Sequence, residues 1–300
     1  LGLRRVWAKL EGSNPTGSYK DRGMAVLASV ARASGATHLV EDSSGNAGAS
    51  AAAYAARGGM TCTVYAPAAA PAAKLRQIRA YGAELIAVAG PRSAVADAAR
   101  AAGTVVGAYH VSHNDNPLFV VGNQSLAFEL AEAARALDPA DRPWHVVMPV
   151  GGGALFMGAA DGFAKPLPGD APVPRLHGAQ TTSCAPLATA YADDAVDPAI
   201  VTRVATVCGG IEIERPHRGR AILAAARASG GSILASDDAH ILAARDALAR
   251  LEGVYAEPTS CAGAAALAQL ASTGAVGPDD LVMLVLTGTG LKDPGPVNDE

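Results

Sequence analysis

A lysine that follows a run of turn-forming residues is the first place in this sequence where a side chain could bond covalently to a ligand. Lys20 stands in residues 14–23, NPTGSYKDRG, where Pro, Gly and Ser form a short open loop before a predicted helix. Ser18 precedes that helix and is expected to cap it through its hydroxyl group. A lysine amine displayed in this way can reach the carbonyl group of a cofactor.

The second group of candidate residues lies in residues 41–50, EDSSGNAGAS, between a predicted strand and a predicted helix. Ser43 and Ser44 offer hydroxyl groups, and the small residues around them expose backbone amides at the positive end of the helix. That combination suits a carboxylate, while the Asn46 amide can reach a neighbouring oxygen. A tight strand-to-helix turn with a good cap would use the same residues, and the turn alone leaves both interpretations open.

Two further turns follow buried strands. In residues 149–155, PVGGGAL, three glycines allow backbone amides to converge on an anion such as a phosphate, although the G-x-G-x-x-G spacing of dinucleotide sites is missing. In residues 287–294, TGTGLKDP, Thr287 places an uncharged hydroxyl at the end of a strand. Since ligands of open α/β sheets bind at the carboxyl ends of the strands, the four turns predict one shared crevice.

The elements that must position these turns are short apolar strands alternating with alanine-rich helices, a rhythm typical of α/β layers with parallel sheets. At 300 residues the chain is expected to form two lobes. We predict a larger domain from residues 1–15 plus 140–300 and a smaller domain from residues 16–139. The predicted strands are Val6–Leu10, His38–Glu41, 61–65, Glu84–Val88, 144–150 and Leu281–Leu286, and the predicted helices include Lys20–Ala33, 47–57, 72–81, 118–137, 221–229, 237–251 and 261–272.

Composition excludes several classes of function. The net charge of −4 has no basic stripe that would neutralise a phosphate backbone, so we expect no nucleic-acid partner. An apolar run of about 18 residues and a basic-then-apolar leader are both lacking, which predicts a cytoplasmic protein without a membrane partner. The four cysteines are widely spaced and predict reduced core thiols, with Cys208 before two glycines the only one considered for catalysis.

Other catalytic motifs fit poorly. Residues 12–18 have the glycine spacing of a P-loop but no lysine directly after Gly17. His110 and His113 have H-x-x-H spacing without a helix that carries glutamate, so they are interpreted as surface or polar-core residues and no metal is predicted. The sequence also lacks the G-x-S-x-G elbow of serine hydrolases.

Taken together, the motifs in residues 14–23, 43–50, 257–260 and 287–294 resemble the threonine synthase family, whose members are fold type II pyridoxal-phosphate enzymes. The resemblance extends over residues 7–294, and the motifs occur in the family's order. It implies two open α/β domains of the tryptophan synthase β-like class, pyridoxal 5′-phosphate as cofactor, a small amino acid as substrate and a homodimer. It also implies a segment before the first strand, where relatives carry a Gly-Glu-Gly stretch.

The resemblance assigns a role to each candidate. Lys20 is implied to hold the cofactor aldehyde as a Schiff base and to act as the base at Cα. Asn46 is implied to contact the ring hydroxyl and Thr287 the pyridine nitrogen. The resemblance also implies that two groups of residues bind anions. The cofactor phosphate is bound by Gly151, Gly152, Gly153 and Ala154, and the substrate carboxylate is bound by Ser43, Ser44 and Ala47.

The implied reaction is elimination or replacement at the β or γ carbon, with O-phosphohomoserine conversion to threonine and phosphate as the best match. One departure leaves the leaving group open. Where the family commonly has an arginine two residues after an Asn-Pro pair, this chain has Phe119. A serine/threonine ammonia-lyase, β-replacement of the cysteine synthase type and a catalytically silent homologue therefore remain alternatives.

Overall fold

The structure is a computed structural model that describes residues 1–70, 72–138, 143–167, 172–293 and 295–296. The predicted domain boundary between residues 139 and 140, and Pro294 at the end of the last motif, lie outside these residues. Contacts divide the chain into a larger unit, residues 1–12 and 124–300, and a smaller unit, residues 13–123.

The strands alternate with helices along the chain as the composition predicts. The described strands are β1 Val6–Leu10, β2 His38–Glu41, β3 Thr61–Pro67, β4 Glu84–Val88, β5 Ala108–His110, β6 Trp144–Pro149, β7 Arg175–Thr181, β8 Ile233–Ser236 and β9 Leu281–Leu286. The described α-helices are α1 Lys20–Ala33, α2 Asn46–Gly58, α3 Ala72–Ala80, α4 Arg92–Ala102, α5 Pro117–Leu137, α6 Ala154–Phe163, α7 Pro186–Ala192, α8 Gly219–Ala228, α9 Asp238–Glu252 and α10 Pro258–Ser272.

The smaller unit contains a parallel sheet with the strand order β4-β3-β2-β5. Its register places Val40 of β2 beside both Thr63 of β3 and His110 of β5. Helix α2 packs against this sheet and against α1, burying the alanines of its inner face. The carboxyl end of β2 therefore leads directly into the turn before α2.

The larger unit contains a parallel sheet with the strand order β1-β9-β6-β7-β8. Strands β6 and β9 are fully buried and adjacent, with Val147 opposite Leu284. Helix α10 covers them with small residues, and Gly263 lies close to Leu284, which permits tight packing of helix on sheet. Because β6 and β9 run in the same direction, the turns that follow them emerge at the same edge of the sheet.

The α/β fold class with parallel sheets is confirmed. Strands β1, β2, β4 and β9 and helix α1 have the predicted bounds. The predicted set did not contain β5, β7 or β8, which lack a long apolar run; β7, for example, buries His177 and Gln180. In the described part of the chain, no helix combines the length and apolar character needed to cross a membrane.

Candidate active site

The turn before α1 places Lys20 at the first position of the helix. The predicted hydroxyl cap is wrong: Tyr19 is the N-cap residue, and it makes no side-chain capping bond. The backbone carbonyl of Ser18 accepts a bond from the Asp21 amide at 3.4 Å, while its buried Oγ has no partner among the described residues. The backbone, and not the serine side chain, therefore closes the start of the helix.

A buried carboxylate fixes this turn. Asp21 accepts hydrogen bonds from the backbone amide and the hydroxyl of Thr16, both at 2.7 Å, and from the hydroxyl of Ser50 at 2.6 Å. Thr16 belongs to the loop before Lys20, and Ser50 belongs to α2. Asp21 thus ties the lysine loop to the helix that carries Asn46 and Ala47, and sequence reasoning missed it because its partners were unknown.

Two aromatic rings surround the Lys20 amine. Its Nζ lies 4.8 Å from the ring centroid of Tyr19 and 5.6 Å from that of Phe119. Phe119 itself is fully buried, and a Cβ at Gly23 of α1 would lie only 2.5 Å from its ring. Phe119 is therefore a packing residue that fills the space beside the lysine helix.

The turn between β2 and α2 carries the second predicted set. Ser43 and Ser44 are half-buried, and Ser43 Oγ accepts a bond from the Gly45 amide at 3.3 Å. Asn46 begins α2 and Ala47 is buried beside it. No side chain caps this helix at Gly45, so the dipole at its start faces the turn that holds both serines.

Ionisable side chains lie immediately before this turn. Burial raises the pKa of the Glu41 carboxyl well above its usual range, and the neighbouring Asp42 raises it further, whereas the cations of Lys20 and Arg92 lower it. Glu41 Oε1 contacts Nδ1 of His113 at 2.9 Å. The lysine therefore lies within the electrostatic field of a buried acid that the sequence did not single out.

In the larger unit, the three glycines form a close-packed turn between β6 and α6. Gly153 has φ of +83°, and a Cβ there would overlap the side chain of Ile222. A Cβ at Gly151 would lie 2.9 Å from Cα of Ile211. Arg218 donates to the carbonyl of Gly152 at 3.4 Å, so this turn has a cation beside it that sequence reasoning also missed.

Thr287 lies at the end of β9, on the same edge of the sheet. It is buried, and its hydroxyl contacts Oγ of Ser260 at 2.9 Å. Ser260 Oγ also accepts a bond from the Gly288 amide at 2.8 Å. Ser260 belongs to the 257–260 motif, so this motif positions the threonine.

The cysteines offer no competing nucleophile among the described residues. All four are free and buried. Burial raises the pKa of Cys208 to about 12, and Asp238 adds to that effect, so this thiol stays protonated at neutral pH. The prediction of reduced core thiols is confirmed.

The predicted site residues fall into two sets. The smaller unit holds Lys20 with Ser43, Ser44, Asn46 and Ala47, linked through Asp21. The larger unit holds the glycine turn and Thr287 on one sheet edge. A lysine amine at a helix start, a glycine turn with no room for a Cβ at Gly151 or Gly153, and the uncharged buried hydroxyl of Thr287 are groups that suit a phosphorylated aldehyde cofactor.

Sequence comparisons agree with that chemistry. Residues 1–288 match the family described as pyridoxal-phosphate dependent enzyme. Threonine synthase of Bacillus sp. (strain ULM1) is 33% identical over 298 residues, which cover 98% of this chain and 80% of that protein. Threonine synthase of Methanocaldococcus jannaschii is 34% identical, with 98% of this chain and 72% of that protein covered.

Solved structures extend the similarity to the fold. A threonine deaminase of T.th. superimposes with a TM-score of 0.79 and 26% identity, over 96% of this chain and 88% of that one. Maize serine racemase has the same TM-score at 20% identity, over 95% and 83% of the two chains, and supports the fold alone. The chain is a fold type II enzyme that uses pyridoxal phosphate, and it belongs to the pyridoxal-phosphate dependent enzyme family.

Proposed function

We infer that this enzyme is a lyase of the threonine synthase type, which eliminates or replaces a group at the β or γ carbon of a small amino acid. The observation that carries this proposal is Lys20 at the start of α1, with Asp21 holding its loop against α2. The relatives named threonine synthase support conversion of O-phosphohomoserine to threonine and phosphate as the leading reaction. A cytoplasmic homodimer remains part of the proposal.

The roles of the smaller unit's residues follow from their chemistry. Pyridoxal phosphate, when bound, supplies an electron sink that acidifies the Cα proton of the substrate. Lys20 is proposed to bond the cofactor and then, once displaced, to take up that proton on Nζ. Asn46 is assigned to the cofactor's ring hydroxyl. The turn and the start of α2, through Ser43, Ser44 and Ala47, are assigned to the substrate carboxylate, which helix N-termini favour.

The larger unit's residues are proposed to serve the same cofactor. We assign its phosphate to the turn formed by Gly151, Gly152, Gly153 and Ala154. Three of these residues have no side chain, so backbone amides are accessible, and Arg218 lies beside the turn. Thr287 is assigned to the pyridine nitrogen. Its hydroxyl carries no charge that would keep that nitrogen protonated, so the electron sink stays weak and elimination competes well with transamination.

A serine/threonine ammonia-lyase is the second candidate, and a specific observation favours it. The resemblance to the family implies an arginine for the substrate phosphate two residues after Asn116-Pro117, but this chain has Phe119 there, and its side chain is fully buried. A buried phenyl ring cannot replace charge-assisted hydrogen bonds to a dianion, which contribute about 1.5–3 kcal/mol each. The similarity to a threonine deaminase points the same way. β-Replacement of the cysteine synthase type ranks below these two.

A substrate panel separates the candidates. Purified holoenzyme is offered O-phosphohomoserine, threonine, serine and O-acetylserine, and the release of phosphate, ammonia and oxo-acid is measured in parallel. Release of phosphate together with formation of threonine from O-phosphohomoserine supports the leading reaction. Ammonia from threonine or serine, without turnover of O-phosphohomoserine, rejects it in favour of the second candidate.

The covalent role of Lys20 has its own test. The native protein should show a visible absorption band with pyridoxal phosphate that borohydride abolishes, and Lys20→Ala should lack the band and lose activity by about 100-fold or more. Lys9→Ala, which changes a half-buried lysine on β1, is the matched control and should keep both. Persistence of the band in folded Lys20→Ala would reject the assignment.

A further inference from the structure

Three ligand-bearing side chains converge beside the turn that leads into α2. Glu41 ends β2, Asp42 follows it, and His113 lies three residues after β5. Each contributes one oxygen or nitrogen atom, and these atoms lie within 4.8 Å of one another. Ligand atoms on opposite sides of a cation are separated by about 4–5 Å, since metal–ligand distances are about 2.0–2.4 Å.

The contacts within the cluster leave two carboxylate oxygens available. Glu41 Oε1 contacts His113 at 2.9 Å, and Asp42 Oδ2 pairs with Arg92 at 2.7 Å. The other oxygens, Glu41 Oε2 and Asp42 Oδ1, are buried and have no hydrogen-bond partner among the described residues. A buried oxygen without a partner is costly, and two in neighbouring residues call for a ligand that satisfies both.

The charges point to a cation as that ligand. Glu41 is fully buried and Asp42 is 4% exposed, so water does little to screen their repulsion. The Arg92 side chain is about half exposed, which weakens its attraction for the two carboxylates, and the Lys20 cation also acts electrostatically on Glu41. Either a proton on one carboxylate or a metal ion shared by both would relieve this repulsion and supply a partner to the buried oxygens. A proton would satisfy one oxygen, whereas a metal ion would bind both.

We propose that Glu41, Asp42 and His113 form a binding site for one divalent cation that accepts mixed oxygen and nitrogen ligands, with Mn²⁺ and Zn²⁺ as the matching ions. Two carboxylates with one imidazole suit these ions better than Ca²⁺ or Mg²⁺, which favour oxygen alone. The site is separate from the residues assigned to the cofactor and does not depend on which reaction the enzyme catalyses. It would fix the end of β2 immediately before Ser43.

The test is metal binding by the holoenzyme. Protein dialysed against a chelator is titrated with MnCl₂, and free Mn²⁺ is followed by electron paramagnetic resonance. We expect one Mn²⁺ per chain and a rise in the thermal midpoint on binding. Glu41→Gln should weaken Mn²⁺ binding at least about tenfold and remove the rise. Elemental analysis of protein equilibrated with ZnCl₂ repeats the count for Zn²⁺.

Matched variants keep the test decisive. Asp97→Asn removes an exposed carboxylate from α4 of the same unit and should bind Mn²⁺ as the native chain does. If Glu41→Gln does not fold, His113→Asn takes its place, with circular dichroism as the check on folding. Absence of Mn²⁺ and Zn²⁺ uptake by the native holoenzyme, or equal uptake by a folded Glu41→Gln or His113→Asn, would overturn the proposal.

Discussion

The lysine loop of the smaller unit and the glycine turn of the larger unit are held in place by different physical means. In the smaller unit, the lysine loop is fixed by hydrogen bonds from Thr16 and Ser50 to the buried carboxylate of Asp21. In the larger unit, the glycine turn is fixed by close packing, because Gly151 and Gly153 leave no room for a Cβ beside Ile211 and Ile222. One site depends on polar contacts and the other on shape.

The difference agrees with the role proposed for each set. Lys20 is proposed to present its amine to the cofactor, and its loop is secured by hydrogen bonds to the neighbouring carboxylate of Asp21. A phosphate needs several backbone amides pointing to one place, which only a turn without side chains provides. The smaller unit should therefore tolerate changes of volume better than changes of hydrogen bonding, and the larger unit's turn should behave in the opposite way.

The largest effect is expected at Gly153. Gly153→Ala should lower the free energy of unfolding by about 2–5 kcal/mol, because an alanine at φ of +83° is strained and its Cβ overlaps Ile222. It should also weaken cofactor binding at least about tenfold. Urea denaturation and titration with pyridoxal phosphate measure the two effects.

Gly59→Ala separates backbone strain from the steric clash. Gly59 follows α2 with φ of +69°, and a Cβ there would meet nothing within 4 Å. Its replacement should therefore cost only the strain, about 1–2 kcal/mol, and leave cofactor binding unchanged. Equal losses in the two variants would show that close packing contributes nothing to the glycine turn.

The glycine turn also shows how far sequence reasoning reaches. Strand β6 and the three glycines after it were visible as an apolar run and a local motif, and the structure has the strand at Trp144–Pro149, one residue shorter than predicted, with the glycines in the turn that follows. The dependence on Ile222 and Arg218 was not visible, since these residues lie about 70 positions later in the chain. Local patterns identify a turn, whereas the residues that shape it come from the tertiary fold.

The second test of the comparison is Asp21→Asn. This change preserves volume but removes the charge that strengthens bonds from the Thr16 amide, the Thr16 hydroxyl and Ser50. We expect a loss of about 1.5–3 kcal/mol in the free energy of unfolding, measured by urea denaturation. The ratio of the visible cofactor band to protein absorbance should also fall, because the Lys20 loop loses its anchor.

Graded variants show whether Asp21 acts through these bonds. Ser50→Ala removes a single bond and should cost about 1 kcal/mol, while leaving the two bonds from Thr16. If Asp21→Asn and Ser50→Ala destabilise equally, the Thr16 bonds do not hold the loop. If neither changes stability or the cofactor band, the smaller unit does not rely on polar contacts.

Asp21 illustrates why the sequence identified Lys20 but not its support. The turn residues and the neighbouring helix start are encoded within ten positions, and they were sufficient to predict α1 with its observed bounds. The bond to Ser50 joins positions that are 29 residues apart, and no local pattern connects them. The hydroxyl cap assigned to Ser18 failed for a related reason, since local preference does not show which group the fold buries.

The larger unit also contains a buried pair of polar side chains on its sheet. His145 of β6 stacks on His177 of β7, with Nδ1 of His145 2.9 Å from Nε2 of His177. Nε2 of His145 lies 3.4 Å from Asp280, so His145 donates there and accepts from His177. Nδ1 of His177 is then an acceptor without a partner among the described residues.

This pair gives the smallest of the three effects and depends on pH. Burial lowers the pKa of His145, and burial together with His145 and Arg175 lowers the pKa of His177 to about 3. The pKa of a histidine in an unfolded chain is about 6.5, so below that pH the two imidazoles bind protons in the unfolded chain but not in the folded chain. The contribution of the pair to the free energy of unfolding is therefore fully present above about pH 6.5. As the pH drops below that value, the free energy of unfolding decreases, by at most about 1.4 kcal/mol per pH unit for His177.

Urea denaturation between pH 7 and pH 5 measures this pH dependence. The slope should be smaller in His177→Gln and unchanged in His217→Gln, which alters an exposed histidine. If His177→Gln leaves the slope unchanged, the stacked pair does not resist protonation in the folded chain. These two histidines would then behave like side chains exposed to solvent, unlike the buried hydrogen-bonded carboxylate of Asp21.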